Sequence, residues 1–379
     1  MRKPKTRGST GIAPADARLT GIPGPDDVDQ NRLERTDAAL ARRFEEFAEL
    51  ECAASGSGMS VDSPTYAVLS QHIAKHAELL ALARECRAGQ PIPNLMFAAV
   101  KRVVQDAPGS ALAAHYRRAA RGGRPGSALP GAFAEFCAER QGRIRALLES
   151  RNVQTNEVGR CAHLMPAFGV VAEAARQPLA LLDVGAGAGL NLLWDRYDYR
   201  YSDGSVFGTG RSPVRIVCES RGPMPDMPAR FPEVAYRIGI DLEPIDLADE
   251  EHYSWLKALV WPDHADRAAL LANARRVWLQ HTPRVVAGDA VGSLPDLIGA
   301  APLDAALCVF HCHVLNQFPV SARAAFSEAL RSASRRRPVY HIASEGEHLN
   351  VTRIVDGRLH ALMSVLRSAH GRWVDWSGR

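Results

Sequence analysis

The sequence predicts an α/β protein in which a doubly wound parallel sheet follows an all-helical amino-terminal lobe. Three observations carry this. The run Leu181-Leu182-Asp183-Val184 breaks into glycines at 185, 187 and 189 before a helical pattern resumes at Leu190, which reads as a buried strand, a tight loop and a helix start. From residue 179 onward, strand-length apolar segments alternate with helix-length amphipathic ones, as βαβ units require. Between residues 30 and 152 the pattern is helical.

Composition narrows the class. The 379 residues are 46% hydrophobic and 23% charged, which suits a globular chain of two domains. The net charge is +4, and only five of the 46 basic residues are Lys. Scattered charge without a basic stripe or interleaved aromatics argues against nucleic acid, whereas an anionic small molecule or a carrier protein is tolerated as partner. Seven cysteines, an odd number without framework spacing, predict a reducing compartment. No apolar stretch reaches transmembrane length, so the expected location is cytoplasmic with no membrane partner.

Residues 1–29 are basic, then Pro/Gly/Asp-rich, and are expected to form a disordered tail. The helical lobe spans 30–152. Leu33, Leu40, Phe44, Phe47 and Leu50 make one helical face that Gly56-Ser57-Gly58 ends, and Ser63-Pro64 opens a second helix through Leu69, Ile73, His76 and Leu80. Further helices are expected at 92–105, 110–121 and 131–151. His72 and His76 share a face, but without a nearby carboxylate or Cys they read as ordinary helix surface.

The α/β domain spans 153–379. Its first segment, Val153 to Arg160, is dense in short polar side chains. One reading is a cap, with Thr155 or Asn156 as N-cap and a surface ion pair between Glu157 and Arg160; the other is a cover over the pocket mouth that supplies Glu157 and Arg160 to a ligand. Strand one is 179–184, with a helix from Leu190 through Tyr197 and an inserted hairpin over 199–213. Segments 214–219 and 235–241 compete as strand two. Its terminal acid, Asp241 or as runner-up Glu219, suits a pair of ribose hydroxyls.

A helical span over 253–278 leads to strand three, which ends at Gly288-Asp289-Ala290. Strand four, 303–310, runs into His311-Cys312-His313-Val314-Leu315-Asn316-Gln317. Ligands of open sheets sit beyond the carboxyl ends of strands. His311 and His313, on one side if the strand persists, are therefore candidate general bases, with Asn316 and Gln317 as orienters; satisfied core or capping histidines are the alternative. Cys308, His311, Cys312 and His313 lie too close along one strand to close a tetrahedron, so no metal is expected. A helix at 320–335, a strand at 339–343, the polar loop Ser344-Glu345-Gly346-Glu347-His348, and an antiparallel pair at 350–358 and 371–376 around a helix near 359–369 would complete seven strands.

The Asp183-x-Gly185-x-Gly187-x-Gly189 spacing departs from the dinucleotide fingerprint, because the third glycine arrives one residue early. It resembles motif I of the class I S-adenosylmethionine-dependent methyltransferases, and Ile238-Gly239-Ile240-Asp241-Leu242-Glu243-Pro244 resembles their motif II. The resemblance implies a Rossmann-like, methyltransferase-type sheet. It further implies that Asp183, Gly185, Gly187, Gly189 and Asn191 surround the methionine and ribose of S-adenosylmethionine, with Asp241 at the ribose and Asp289 and Ala290 beside the adenine. Residues 154–160, 183–197, 239–246 and 255–267 together resemble an actinobacterial-type family of uncharacterised proteins, a domain of unknown function, over roughly 30–376. That resemblance implies the methyltransferase-like fold with a helical lobe, and no particular reaction.

The expected activity is methyl transfer from S-adenosylmethionine to an oxygen or nitrogen of a small molecule in secondary metabolism, such as antibiotic biosynthesis, with His311 or His313 removing a proton. An alternative is the same scaffold repurposed for cofactor-free intramolecular displacement or elimination, in faint resemblance to aziridine-forming enzymes that expel sulfate. Arg160, Arg196, Arg211 or Arg221 would then hold the leaving anion. A third is a non-catalytic binding scaffold.

Overall fold

The computed structural model describes residues 35–50, 63–225, 227 and 230–378. The tail expected at 1–29, Leu33, Cys52 and the Gly56-Ser57-Gly58 break lie outside them. The lobe contains α1 (Asp37–Leu50), α2 (Pro64–Ile73), α3 (Ala77–Ala83), α4 (Ile92–Gln105), α5 (Ala111–Ala119), α6 (Leu129–Glu139) and α7 (Gln141–Ser150). One start signal acts as the sequence suggests: Ser63 accepts from the Tyr66 amide ahead of Pro64. Ser110 caps α5 in the same way, accepting from the Ala113 amide. Two expected helices are split. The second breaks between Ile73 and Ala77, and 131–151 breaks at Arg140, whose φ of −121° and ψ of 21° leave the helical region. Helix α4 is the lobe's axis, with Leu95, Met96, Phe97 and Val100 buried and Phe97 stacked 4.0 Å from Tyr66.

Beyond the lobe lie β1 (Leu179–Val184), β2 (Asp198–Tyr201), β3 (Val206–Phe207), β4 (Arg215–Arg221), β5 (Val234–Asp241), β6 (Val285–Ala287), β7 (Ala306–Cys312), β8 (Val339–Glu345), β9 (His348–Val355), β10 (Arg358–Arg367) and β11 (Trp373–Asp375). They form one sheet in the order β3-β2-β4-β11-β10-β9-β8-β7-β1-β5-β6. Strands β6-β5-β1-β7-β8 are parallel, and every residue of β1 is buried, as a strand covered on both faces must be. The other strands extend this block into a large mixed sheet that is not a simple doubly wound one.

The extension corrects several expectations. Residues 359–369 form no helix: β10 runs through them and pairs antiparallel with β9, burying Met363, Val365 and Arg367 in the two-residue period of a strand. Strand β11 lies between β10 and β4, and not beside β9. Segment 214–219 belongs to β4, remote from β1, whereas β5 pairs with β1; Asp241 is therefore the acid near the glycines, and Glu219 sits opposite Trp373. The expected hairpin after Tyr197 is present, as β2 and β3.

Helix α8 (Cys161–Ala175) feeds β1. The single span expected over 253–278 is two helices, α9 (Glu250–Leu259) and α10 (Ala265–Gln280), parted at Trp261-Pro262. Helices α11 (Ala290–Ala300) and α12 (Val320–Ala333) cover one face of the sheet over Leu182, Ile240, Leu307 and Val309. The other face shares a continuous apolar core with the lobe, running from Phe310 and Trp194 through Leu256 to Phe97 and Phe44. After the glycines the chain forms a 3-10 helix over Leu190–Arg196 where an α-helix is expected. The Tyr197 hydroxyl and Arg237 take the carbonyls of Leu190 and Leu192, groups an α-helix would pair internally, and the Tyr199 hydroxyl takes that of Trp194. No helix among the described residues is long and apolar enough to cross a membrane.

Candidate functional site between the lobe and the sheet

The strand order reverses between β1 and β7, the place where open α/β sheets take ligands. The glycine loop stands there, with φ of +71°, +58° and +73° at Gly185, Gly187 and Gly189. Its hollow is filled by the chain itself. A Cβ on Gly185 would overlap Val314, one on Gly187 would stand 2.9 Å from Asn156 Nδ2, and one on Gly189 2.8 Å from the Pro283 ring. Asn156 serves no N-cap, as was expected of it or Thr155. Its Nδ2 donates to the Ala186 carbonyl (3.0 Å) and its Oδ1 accepts from the Leu190 amide (3.4 Å).

Asp241 accepts from the Gly187 amide (2.8 Å), the Glu243 amide (3.0 Å) and Gln154 Nε2 (2.8 Å). Burial, and then Asp241, push the Asp183 carboxyl well above the usual range, and its Oδ2 has no partner. Asn191 accepts from the Cys161 thiol. Asp289 caps α11 through the Gly292 amide (2.6 Å), with Ala290 as that helix's first residue.

At the end of β7 the two histidines part company, contrary to the expectation of one shared side. The strand ends at Cys312, and His313 adopts a left-handed φ of +56°, which turns its ring away from that of His311. His311 is fully buried against Phe326 on the α12 side. Its Nδ1 lies 2.7 Å from Glu345 Oε1 and its Nε2 2.9 Å from His341 Nε2. Burial alone would raise Glu345, but His311 and the Val314 and Leu315 amides outweigh it and hold the carboxyl down to about 2.

His313 faces the lobe and accepts from Arg367 Nη1 at 2.8 Å. Burial, then Arg160 and Arg367, lower it to about 3, so the ring is neutral. Because arginine only donates, Nε2 is the acceptor and Nδ1–H remains as a donor, which is the reverse of a general base. Gln317 turns back onto the His313 carbonyl (2.8 Å).

Beside His313 lies a cavity of about 480 Å³, within the usual size of small-molecule sites. Asn316, Arg160, Arg267 and His370 line its sheet side, and Tyr66, Phe97 and Trp261 its lobe side. Arg160 comes from a short 3-10 turn, Val158–Arg160, capped by Glu157 accepting from the Gly159 amide. Its Nε donates to the Ala369 carbonyl (3.1 Å). Glu157 makes no surface pair with Arg160; it accepts from Arg267 Nε at 2.6 Å, with both side chains buried. His370 is brought in by a close approach of two turns: Gly371 has φ of +73°, and a Cβ there would overlap the Gly159 carbonyl.

The electrostatics of this cavity are one-sided. His370 is lowered by burial and then by Arg267 and Arg160, and its Nδ1 has no partner. Lys101 falls to about 7 through burial and then Arg267, while its ammonium donates to the Lys257 and Val260 carbonyls. Arg367 itself is lowered to about 10 by burial, with Nε and Nη2 unpaired. The nearby carboxylates are engaged: Glu157 by Arg267, and Asp263 by the Ser63 and Thr65 hydroxyls. Of the four arginines singled out in the sequence, only Arg160 lines the cavity. Arg196 lies by Asp195, Arg221 pairs with Glu219 and stacks on Trp373, and Arg211 is exposed. Among the described residues no cluster of three or more His, Cys, Asp or Glu is arranged to hold a metal ion.

Comparison with curated proteins and with solved structures returns no match. The family described as "Uncharacterized protein conserved in bacteria (DUF2332)" matches residues 30–376, and the chain belongs to it.

Proposed function

We propose that this member of the DUF2332 family is an enzyme that takes a small anionic molecule into the cavity between lobe and sheet and displaces or eliminates an oxyanion from it without S-adenosylmethionine. One observation carries the reading: Arg160, Arg267, His313 and His370 converge on one wall, and among the described residues no carboxylate pairs with Arg160. Such a wall stabilises a departing oxyanion, because donors fixed in a low-dielectric pocket need no reorganisation as charge develops. In the step itself, a nucleophile within the substrate bonds to the carbon bearing the leaving group. The carbon–oxygen bond breaks, its electron pair departs with an oxyanion such as sulfate, and the nucleophile's proton passes to solvent.

Here Arg160 and Arg267 hold the oxyanion, and His313 and His370 donate from neutral rings. The parallel order β6-β5-β1-β7-β8 supports reading the scaffold as methyltransferase-like, since it is the 3-2-1-4-5 order of nucleotide-binding sheets. Methyl transfer stands as the second reading, favoured by the Asp241 carboxylate bonded to the glycine loop after β1; it requires residues 154–157 to leave that loop.

Calorimetric titration with sodium sulfate tests the leading reading. The unaltered protein is expected to bind it, and Arg160→Ala to weaken binding by about tenfold to a hundredfold, as loss of a charged hydrogen bond in a desolvated site would. Absence of sulfate binding to the unaltered protein, together with saturable binding of S-adenosylmethionine, would move methyl transfer to the front.

A further inference from the structure

We infer that the glycine loop is the seat of the chain's own residues 154–157 and not of a nucleotide, and that Gln154 and Asn156 are positioning residues that aim Arg160 into the cavity. The positioning clause rests on the function proposed above; the seating clause does not. Asn156 uses both ends of its amide on the loop, donating to Ala186 and accepting from Leu190. The Leu190 amide is one of the backbone N–H groups that a glycine loop and the helix after it otherwise present to a ligand. Gln154 donates to Asp241 Oδ1 and to the Glu243 carbonyl (3.2 Å), so the acid that ties the loop through Gly187 is itself held by the same segment.

Gly187 permits this approach for two reasons. Its φ of +58° suits glycine, and any Cβ would press on Asn156. From Asn156 only Glu157 and two further residues lead to Arg160, so docking at 156 sets the register of the Val158–Arg160 turn. That turn is then wedged against the 369–371 turn, where Arg160 meets the Ala369 carbonyl. An adenosine cofactor and residues 154–157 claim the same volume and exclude each other.

The test uses the full chain. Titration with S-adenosylmethionine and S-adenosylhomocysteine is expected to give no saturable binding up to about 1 mM, the affinity scale of a few weak contacts; micromolar binding to the unaltered protein overturns the seating. In Gln154→Ala/Asn156→Ala, amide exchange in a peptide covering 185–190 should rise about tenfold or more while peptides of β7 and β8 stay unchanged, because the opening is local. Unaltered exchange at 185–190 overturns it as well. Should the double variant fail to fold, Asn156→Asp replaces it. That variant keeps the acceptor for Leu190 and loses the donor to Ala186, so its exchange should fall between the unaltered protein and Asn156→Ala.

Sulfate affinity supplies the second readout. Gly187→Ala and Asn156→Ala should each weaken it severalfold, and the double change should cost no more than either alone, as for two residues acting through one contact. Full additivity overturns the positioning clause. If the unaltered protein binds no sulfate, the proposed function fails while the exchange experiment still decides the seating.

Discussion

The glycine loop and the cavity open on the same edge of the sheet, yet one is full and the other is hollow. The loop has backbone shaped for close approach and is packed by Val314, Asn156 and Pro283. The cavity has few special backbone angles, but among the described residues no carboxylate pairs with Arg160 on its wall, beside Arg267, which Glu157 pairs. Small residues at positive φ mark a place where something comes near the backbone, and the neighbour can be the chain itself. An uncompensated charge in a desolvated pocket is a different sign, because only a ligand of opposite charge relieves it.

The largest effect expected from breaking this contrast comes at the Glu157–Arg267 pair. Arg267→Met strands a buried carboxylate and should lower folding stability by about 3–5 kcal/mol, measured by denaturant unfolding. A loss below about 1 kcal/mol would mean that the pair does not hold the cavity wall together.

Next in size is the response to acid. His313 and His341 are held at about 3 in the folded protein, below the ordinary histidine value of 6.5. The unfolded chain therefore takes up these protons first. Stability should be complete above pH 6.5 and should fall between pH 6.5 and 3, by on the order of 1 kcal/mol per pH unit for each histidine. Glu345, held at about 2 instead of 4.5, adds a loss of the same sign between pH 4.5 and 2. A melting temperature that stays flat from pH 7 to 4 would contradict both the burial and the charge environment described for these groups.

The smallest effects sharpen the contrast between the two histidines of β7. His313→Asn should weaken sulfate binding only severalfold and leave its pH dependence between 6 and 8, where Lys101 at about 7 changes charge, as in the unaltered protein, because a neutral donor has been exchanged for another donor. His311→Ala should leave sulfate affinity within about twofold while lowering stability, since its ring contacts Glu345 and His341 on the far side of the strand. A bell-shaped pH dependence lost in His313→Asn would restore that residue to the role of base.

Much of the architecture was legible in local pattern. Strand β1, helix α4, the Ser63 cap and the acid at Asp241 follow from residue type and spacing over a few positions. What escaped such reading depends on partners far along the chain. Leu190–Arg196 looks helical in isolation, but tyrosine hydroxyls and Arg237 claim its carbonyls. β10 alternates in burial only because β9 and β11 flank it. Within the site, Arg160 could be singled out by its polar neighbours. Arg267 lies on a helix without a marked apolar face and with nothing local to distinguish it, and His370 depends on the Gly371 turn meeting Gly159. His370-Gly371 in a polar segment near the last strand was the available signal, and it is a weak one.

The bond from Arg160 to the Ala369 carbonyl spans 209 residues. A ribosome adding 5–20 residues per second needs roughly 10–40 seconds to make that stretch. During that interval the residues of the helical lobe have already been made, while Arg160 has neither its carbonyl nor the facing turn. The nascent protein thus carries its lobe sequence well before it has a pocket, and capacity to hold an anion should emerge late, nearly together with β11.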